Sequence, residues 1–155
     1  DMSEVFVGAA APDFELQGPD GPMRLGDFAG RKLVLYFYPK DDTSGCTREA
    51  IDFTGLAGEF DGAGTVVVGV SKDSVASHAK FAAKHGLGVL LGSDPDGAVI
   101  ARYGSWVEKS LYGRKYMGID RSTFLIGPDG VLRQIWRKVK VPGHATKVLE
   151  AVRQL

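Results

Sequence analysis

The sequence predicts an α/β fold, with a central mixed β-sheet flanked by helices and a β-hairpin at its N-terminal end. Three observations carry this. Leu33-Val-Leu-Tyr-Phe-Tyr38 and Thr65-Val-Val-Val-Gly-Val70 are apolar on successive residues, as strands covered on both faces are. Each is followed by a stretch with helical spacing of its apolar residues. Near each end, short runs return on themselves across turns rich in glycine and proline.

Taken in order, Pro12-Asp-Phe-Glu-Leu-Gln17 alternates apolar and polar residues as a half-buried strand does. Gly18-Pro-Asp-Gly-Pro22 is a turn, and Met23-Arg-Leu25 returns as the second arm of the hairpin. After the Leu33–Tyr38 strand comes a helix that carries Cys46 in its first turn and continues through the amphipathic stretch Thr47 to Phe60. Its residues 46, 50, 53, 57 and 60 (Cys, Ala, Phe, Ala, Phe) share the core-facing stripe. The Thr65–Val70 strand leads to a helix over Ser74 to His85, with Ser74 as N-cap and Gly86 as the stop. Val89-Leu-Leu91 is a short strand and Asp96 to Tyr103 a short helix.

Residues 104–120 form the longest irregular stretch, with Trp106, Tyr112 and Tyr116 expected to pack in the loop or, secondarily, to collar a site or form a contact surface. Ser122-Thr-Phe-Leu-Ile126, the turn Gly127-Pro-Asp-Gly130 and Val131-Leu-Arg-Gln-Ile-Trp136 make a β-hairpin. Arg137-Lys-Val-Lys140 reads as a solvated strand edge, and a last amphipathic helix covers about Gly143 to Leu155 through Val148, Leu149 and Val152. This order indicates an α/β sandwich of thioredoxin type.

At 155 residues the chain is expected to be one domain, 1–155, with enough core to need neither disulfide nor metal. Nineteen basic residues balance nineteen acidic ones, so nothing electrostatic points to nucleic acid or an anionic membrane. No apolar run approaches the ~20 residues of a membrane span. Asp1-Met-Ser-Glu-Val5 carries neither the basic region nor the apolar core of a signal peptide. His78, His85 and His144 lack ligand spacing, so no metal centre is expected, and no dinucleotide fingerprint or nucleophile elbow is present.

The chemistry concentrates at Cys46, the sole cysteine. A lone cysteine makes no internal disulfide, and a reducing cytoplasm is the expected location. The thiol falls between a strand and a helix, in the helix's first turn, where unpaired N–H groups and the positive end of the helix dipole favour a thiolate. Thr43, three residues upstream, has a hydroxyl able to cap the helix and face the sulfur. Pro39 has no N–H and can wall the sulfur from water. Glu49 lies one turn after Cys46 on the same face and would repel a thiolate unless an arginine stood between them, and Arg121 is the candidate for that place. Singly, each residue has a plainer reading: buried small hydrophobe, helix cap, loop proline, solvated surface.

Together they match a known pattern. Pro39-x-x-x-Thr43-x-x-Cys46 resembles the active-site motif of the peroxiredoxins. The string Tyr38-Pro-Lys-Asp-Asp-Thr-Ser-Gly-Cys-Thr-Arg-Glu-Ala-Ile-Asp-Phe53 resembles the peroxiredoxin Q (bacterioferritin comigratory protein) branch. Ala11-Pro-Asp-Phe14, Gly69-Val-Ser-Lys-Asp-Ser74 and Arg121-Ser-Thr-Phe-Leu-Ile126 are similar to further segments of that family.

The resemblance implies that Cys46 is the peroxidatic cysteine. Thr43 and the Cys46 N–H would bond the peroxide, Arg121 would hold thiolate and peroxide, Glu49 would orient Arg121, and Pro39 would shield the site. It implies a thiol-dependent peroxidase acting on hydrogen peroxide and organic hydroperoxides, without metal, flavin or haem, and working as a monomer or weak dimer. Ser44 stands where many members carry proline. Ile51 stands where two-cysteine members of the branch often carry the resolving cysteine. Resolution must then come from an external thiol such as thioredoxin, glutaredoxin or glutathione. Two other readings compete: a redox sensor or relay that hands its oxidation to a client, and an inert interaction module with a buried thiol.

Overall fold

The computed structural model describes residues 5–155, so the reading of the first residues as no signal peptide falls, for residues 1–4, outside the described residues. The elements are β1 (Glu15–Gly18), β2 (Gly21–Arg24), β3 (Lys32–Phe37), α1 (Ser44–Gly55), α2 (Ala57–Gly62), β4 (Thr65–Ser71) and α3 (Val75–His85). There follow β5 (Leu90–Ser93), α4 (Ala98–Arg102), β6 (Trp106–Leu111), β7 (Arg114–Ile119), β8 (Ser122–Ile126), β9 (Leu132–Trp136) and α5 (His144–Arg153). Seven strands form one mixed sheet in the order β2-β1-β5-β4-β3-β8-β9. β3 runs parallel to β4 and antiparallel to β8, so the expected fold class holds.

β3 shows why this sequence makes a central strand. Leu33, Leu35 and Phe37 enter a layer with Phe14, Leu16, Val70, Ile100 of α4, Tyr103 and Phe124. The alternate residues Val34, Tyr36 and Tyr38 enter the opposite layer, with Cys46, Ala50 and Phe53 of α1, Phe60 of α2, Phe81 of α3 and Val148 of α5. Both faces are covered, which an unbroken apolar run requires. Ser74 caps α3 by accepting from the Ser77 N–H at 3.1 Å, and Gly86 ends it in the left-handed conformation at φ 60°.

Three expectations need correction. The helix expected to carry Cys46 in its first turn and to continue to Phe60 does begin at Ser44, but it breaks at Leu56 into α1 and α2. Gly55 and Gly58 flank the break, and each weakens a helix interior. The stretch 104–120 is a two-stranded ribbon of β6 and β7, from Trp106↔Ile119 to Leu111↔Arg114. Its turn residues Tyr112 and Gly113 both have positive φ, 53° and 76°, the pattern of a tight two-residue hairpin turn. Tyr112 and Tyr116 stand exposed there instead of packing in a loop, while Trp106 packs against the core with the Lys72 ammonium 4.8 Å from its ring centroid. Arg137 is not a solvated edge. Its guanidinium donates to the carbonyls of Tyr103 and Gly104 at 3.1 and 3.2 Å and lies over the Phe124 ring.

Candidate active site

Sheet register assembles the site. β3 and β8 pair antiparallel with Phe37 opposite Ser122, so the residue before β8 arrives beside the loop that follows β3. That places Arg121 next to a helix start 75 positions earlier in the chain. Cys46 is the third residue of α1, and its side chain is buried in the layer of Tyr36, Tyr38, Ala50 and Phe53. Thr47 donates the first helical N–H, to the Thr43 carbonyl at 2.8 Å. The N–H groups of the turn before it, that of Cys46 among them, are therefore the orphan donors of a helix N-terminus.

Arg121 bridges Cys46 and Glu49, one turn apart on α1. Its Nη2 donates to Cys46 Sγ at 3.4 Å and its Nη1 to Glu49 Oε1 at 2.8 Å. Gly45 permits this approach, because a Cβ there would lie 3.2 Å from Nη2. Burial pushes the Glu49 carboxyl up to about 7 in spite of Arg121 beside it, and its Oε2 is buried without a hydrogen-bond partner. Burial also works against the Arg121 charge, but Glu49 and Cys46 next to it hold its pKa above the ordinary value. At neutral pH the guanidinium is a permanent cation, while Glu49 is a carboxyl that burial keeps partly protonated.

The other sequence candidates fall differently. Thr43 occupies the N-cap position, but its hydroxyl makes no cap bond and donates backwards to the Lys40 carbonyl at 2.8 Å. With its proton so used, the oxygen offers only lone pairs. Pro39 follows β3 on an exposed loop and lies outside the packed cluster that buries the sulfur. Among the described residues no group of three or more His, Cys, Asp or Glu could hold a metal ion, and no helix is long and apolar enough to cross a membrane.

Sequence reasoning missed Gly45 and the loop residue Asp41, which is buried. No spacing rule marks either of them. Gly45 matters only because a side chain distant in sequence lies over it, and Asp41 because α3 packs behind it.

Comparison with known proteins identifies the chain's relatives. Residues 7–135 match the AhpC/TSA family. Peroxiredoxin Bcp of Xanthomonas campestris pv. campestris is 53% identical over 125 residues, covering 81% of this chain and 78% of that protein. Peroxiredoxin Bcp of Bacillus subtilis is 44% identical over 152 residues, covering 97% of each. The solved structure of Xanthomonas campestris bacterioferritin comigratory protein, described for its alkyl peroxide reduction activity, superposes with a TM-score of 0.88. It is 47% identical and covers 97% of this chain and 96% of its own.

Proposed function

Since this chain belongs to the AhpC/TSA family and, within it, to the peroxiredoxin Q (bacterioferritin comigratory protein) branch, we propose that it reduces hydrogen peroxide and organic hydroperoxides through a Cys46 sulfenic acid that an external thiol resolves. The observation that carries this reading is Arg121 held between Cys46 and Glu49. A guanidinium donating to the sulfur favours the anion, and the anion is the nucleophile.

The thiolate attacks the terminal oxygen of the hydroperoxide. A sulfur–oxygen bond forms, the oxygen–oxygen bond breaks, and the leaving alkoxide or hydroxide takes a proton to become alcohol or water. Negative charge moves from sulfur to the leaving oxygen, so fixed donors aimed along that path stabilise the transition state. Arg121 is one donor and the N–H of Cys46 is the other. Thr43 orients the substrate: its proton is engaged by Lys40, so its oxygen accepts the peroxide O–H. Glu49 fixes the arginine, and Pro39 limits water at the loop.

Resolution is bimolecular. With Cys46 as the sole cysteine, a first external thiol displaces water from the sulfenic acid to give a mixed disulfide. A second thiol then releases the enzyme and leaves with the first as a disulfide. A reducing cytoplasm would supply thioredoxin, glutaredoxin or glutathione for this, and the enzyme would work as a monomer or weak dimer. Steady-state peroxide consumption with each of the three reducing systems tests the reading. Turnover with at least one supports it, and oxidation of Cys46 with no turnover in any of them would favour the sensor or relay instead.

A further inference from the structure

Two consecutive carboxylates, Asp41 and Asp42, stand between β3 and the turn that carries Thr43 and Cys46, and both reach α3. Asp42 does so at the surface. It adopts φ 59° and pairs with Lys84 at 2.7 Å and His85 at 2.8 Å. Exposed pairs of this kind hold little.

Asp41 is buried, and both of its carboxylate oxygens are engaged. Oδ1 accepts from the Tyr38 hydroxyl at 2.5 Å. Oδ2 accepts from the Ser77 hydroxyl at 2.8 Å and lies 2.7 Å from His78 Nδ1. The other ring nitrogen, Nε2, lies 3.1 Å from the Gly92 carbonyl, so each ring nitrogen faces an acceptor. The Asp41 N–H donates to the Asp73 carboxylate at 2.8 Å, which also accepts from the Ser71 hydroxyl at 2.7 Å. Burial works to raise the Asp41 carboxyl, but the bonds from His78, Tyr38 and Ser77 bring it below its ordinary value.

This network ties the ends of β3, β4 and β5 and one face of α3 to a single loop residue. Among the described residues no hydrogen bond joins it to Cys46, Glu49 or Arg121, so it is separate from the arginine bridge.

We propose that His78 and Asp41 are positioning residues of the peroxidase: their buried pair fixes the loop two residues ahead of Thr43, and so places the Thr43 hydroxyl and the first-turn N–H groups relative to the Cys46 sulfur. The proposal rests on the peroxidase reading of that site. Attack on an oxygen–oxygen bond needs the donors within a few tenths of an ångström of their places, and a loop freed from α3 loses that alignment while the helix and Arg121 remain. The same freedom uncovers the sulfur to larger reagents. A positioning role therefore predicts opposite changes in two reactions of one thiol.

The test uses His78→Asn, His78→Gln and His78→Ala. An asparagine amide nitrogen lies as many bonds from the backbone as Nδ1, and a glutamine amide nitrogen as many as Nε2. Asparagine therefore keeps the donor to Asp41, and glutamine keeps only the donor to Gly92. Single-turnover oxidation of Cys46 by hydrogen peroxide, alkylation by iodoacetamide and thermal melting are measured on each. His78→Ala and His78→Gln are expected to slow peroxide oxidation by on the order of tenfold to a hundredfold and to speed alkylation, with His78→Asn recovering most of both. Should the alanine variant fail to fold, the contrast between the two amides decides.

The proposal is overturned if all three variants keep wild-type rates, or if His78→Asn is no better than His78→Gln and both rates simply follow the melting temperature. A wild-type protein inert to peroxide would overturn the peroxidase reading instead, and the alkylation order of the variants would still test whether the pair holds the loop.

Discussion

The Arg121 guanidinium lies 3.4 Å from the Cys46 sulfur and reaches Glu49 with its other terminal nitrogen, so one side chain bonds both the sulfur and the carboxyl one turn away. A lysine at 121 would present a single point charge and could not fork between the two.

Arg121→Ala is expected to slow the reaction of Cys46 with peroxide by on the order of 10²-fold, the usual cost of losing one preorganised donor to developing charge. Thr43→Val is expected to slow it by a similar order through loss of the acceptor that orients the peroxide. Arg121→Lys should fall between wild type and alanine. Stopped-flow oxidation of the reduced protein gives the rate constants, and circular dichroism checks that the fold is kept. A variant that retains the wild-type rate removes its residue from the mechanism.

Glu49 should leave a signature in the pH dependence of stability. Its carboxyl is raised from 4.5 to about 7 in the folded protein, so between those values the folded state binds more protons than the unfolded chain. Stability from this group is therefore fully present below the unfolded value and is lost as pH rises through the folded one. Urea midpoints of the wild type and Glu49→Gln, measured from pH 4.5 to 8, should diverge: the wild type should lose stability relative to the variant across that window. Parallel curves would mean that the carboxylate is not desolvated.

Tyr36 offers a stability test at the back of the same site. Its ring stacks on Phe53 of α1 with centroids 4.8 Å apart, and its hydroxyl is buried without a partner. Burial first, then Glu49 and Cys46, hold that hydroxyl protonated. Tyr36→Phe removes an unsatisfied polar atom and keeps the stack, so it should raise stability by about 1 kcal/mol in urea unfolding. A loss of similar size would show that the hydroxyl is hydrogen-bonded in solution.

How far the sequence reveals this site follows from where its parts lie along the chain. Local parts are legible. The apolar run of β3, the helical stripe through Cys46, Ala50 and Phe53, and the Ser74 and Gly86 signals of α3 all appear in the structure where the residues place them. Arg121 is legible through a charge argument, that a carboxylate next to a thiolate needs a cation between them, and through the likeness of Arg121-Ser-Thr-Phe-Leu-Ile126 to a segment of the family.

The parts that depend on distant packing were not legible. Asp41 and His78 are 37 positions apart and meet because α3 crosses behind the loop. The β6–β7 ribbon escaped notice because it stands apart from the main sheet, and most of its residues are exposed on both faces. No alternation of apolar and polar residues survives there to announce a strand.

Ile51 connects the structure to the missing resolving thiol. It is 40% exposed, on a groove of about 870 Å³ between α1 and residues 141–146, whereas Cys46 faces the core. Residues five apart lie about 140° round a helix from each other, so no disulfide between them fits an intact α1. Ile51→Cys should nevertheless divert the sulfenic acid into an internal disulfide, with α1 opening locally to allow it. Faster proteolysis within residues 44–55 of the oxidised variant than of the reduced one would report that opening. If the sulfenic acid persists in this variant, α1 is too stable to open on the timescale of resolution.

Intact mass after one equivalent of hydrogen peroxide, without reductant, decides whether Cys46 carries the chemistry alone. One added oxygen is expected on the monomer, removed from the population by a sulfenic-acid trap. Excess peroxide should carry the mass on to two and three oxygens as activity is lost, because no internal thiol intercepts the intermediate. A disulfide-linked dimer as the main product in dilute solution would contradict it, since resolution would then pass between two copies of this chain and not to an external thiol.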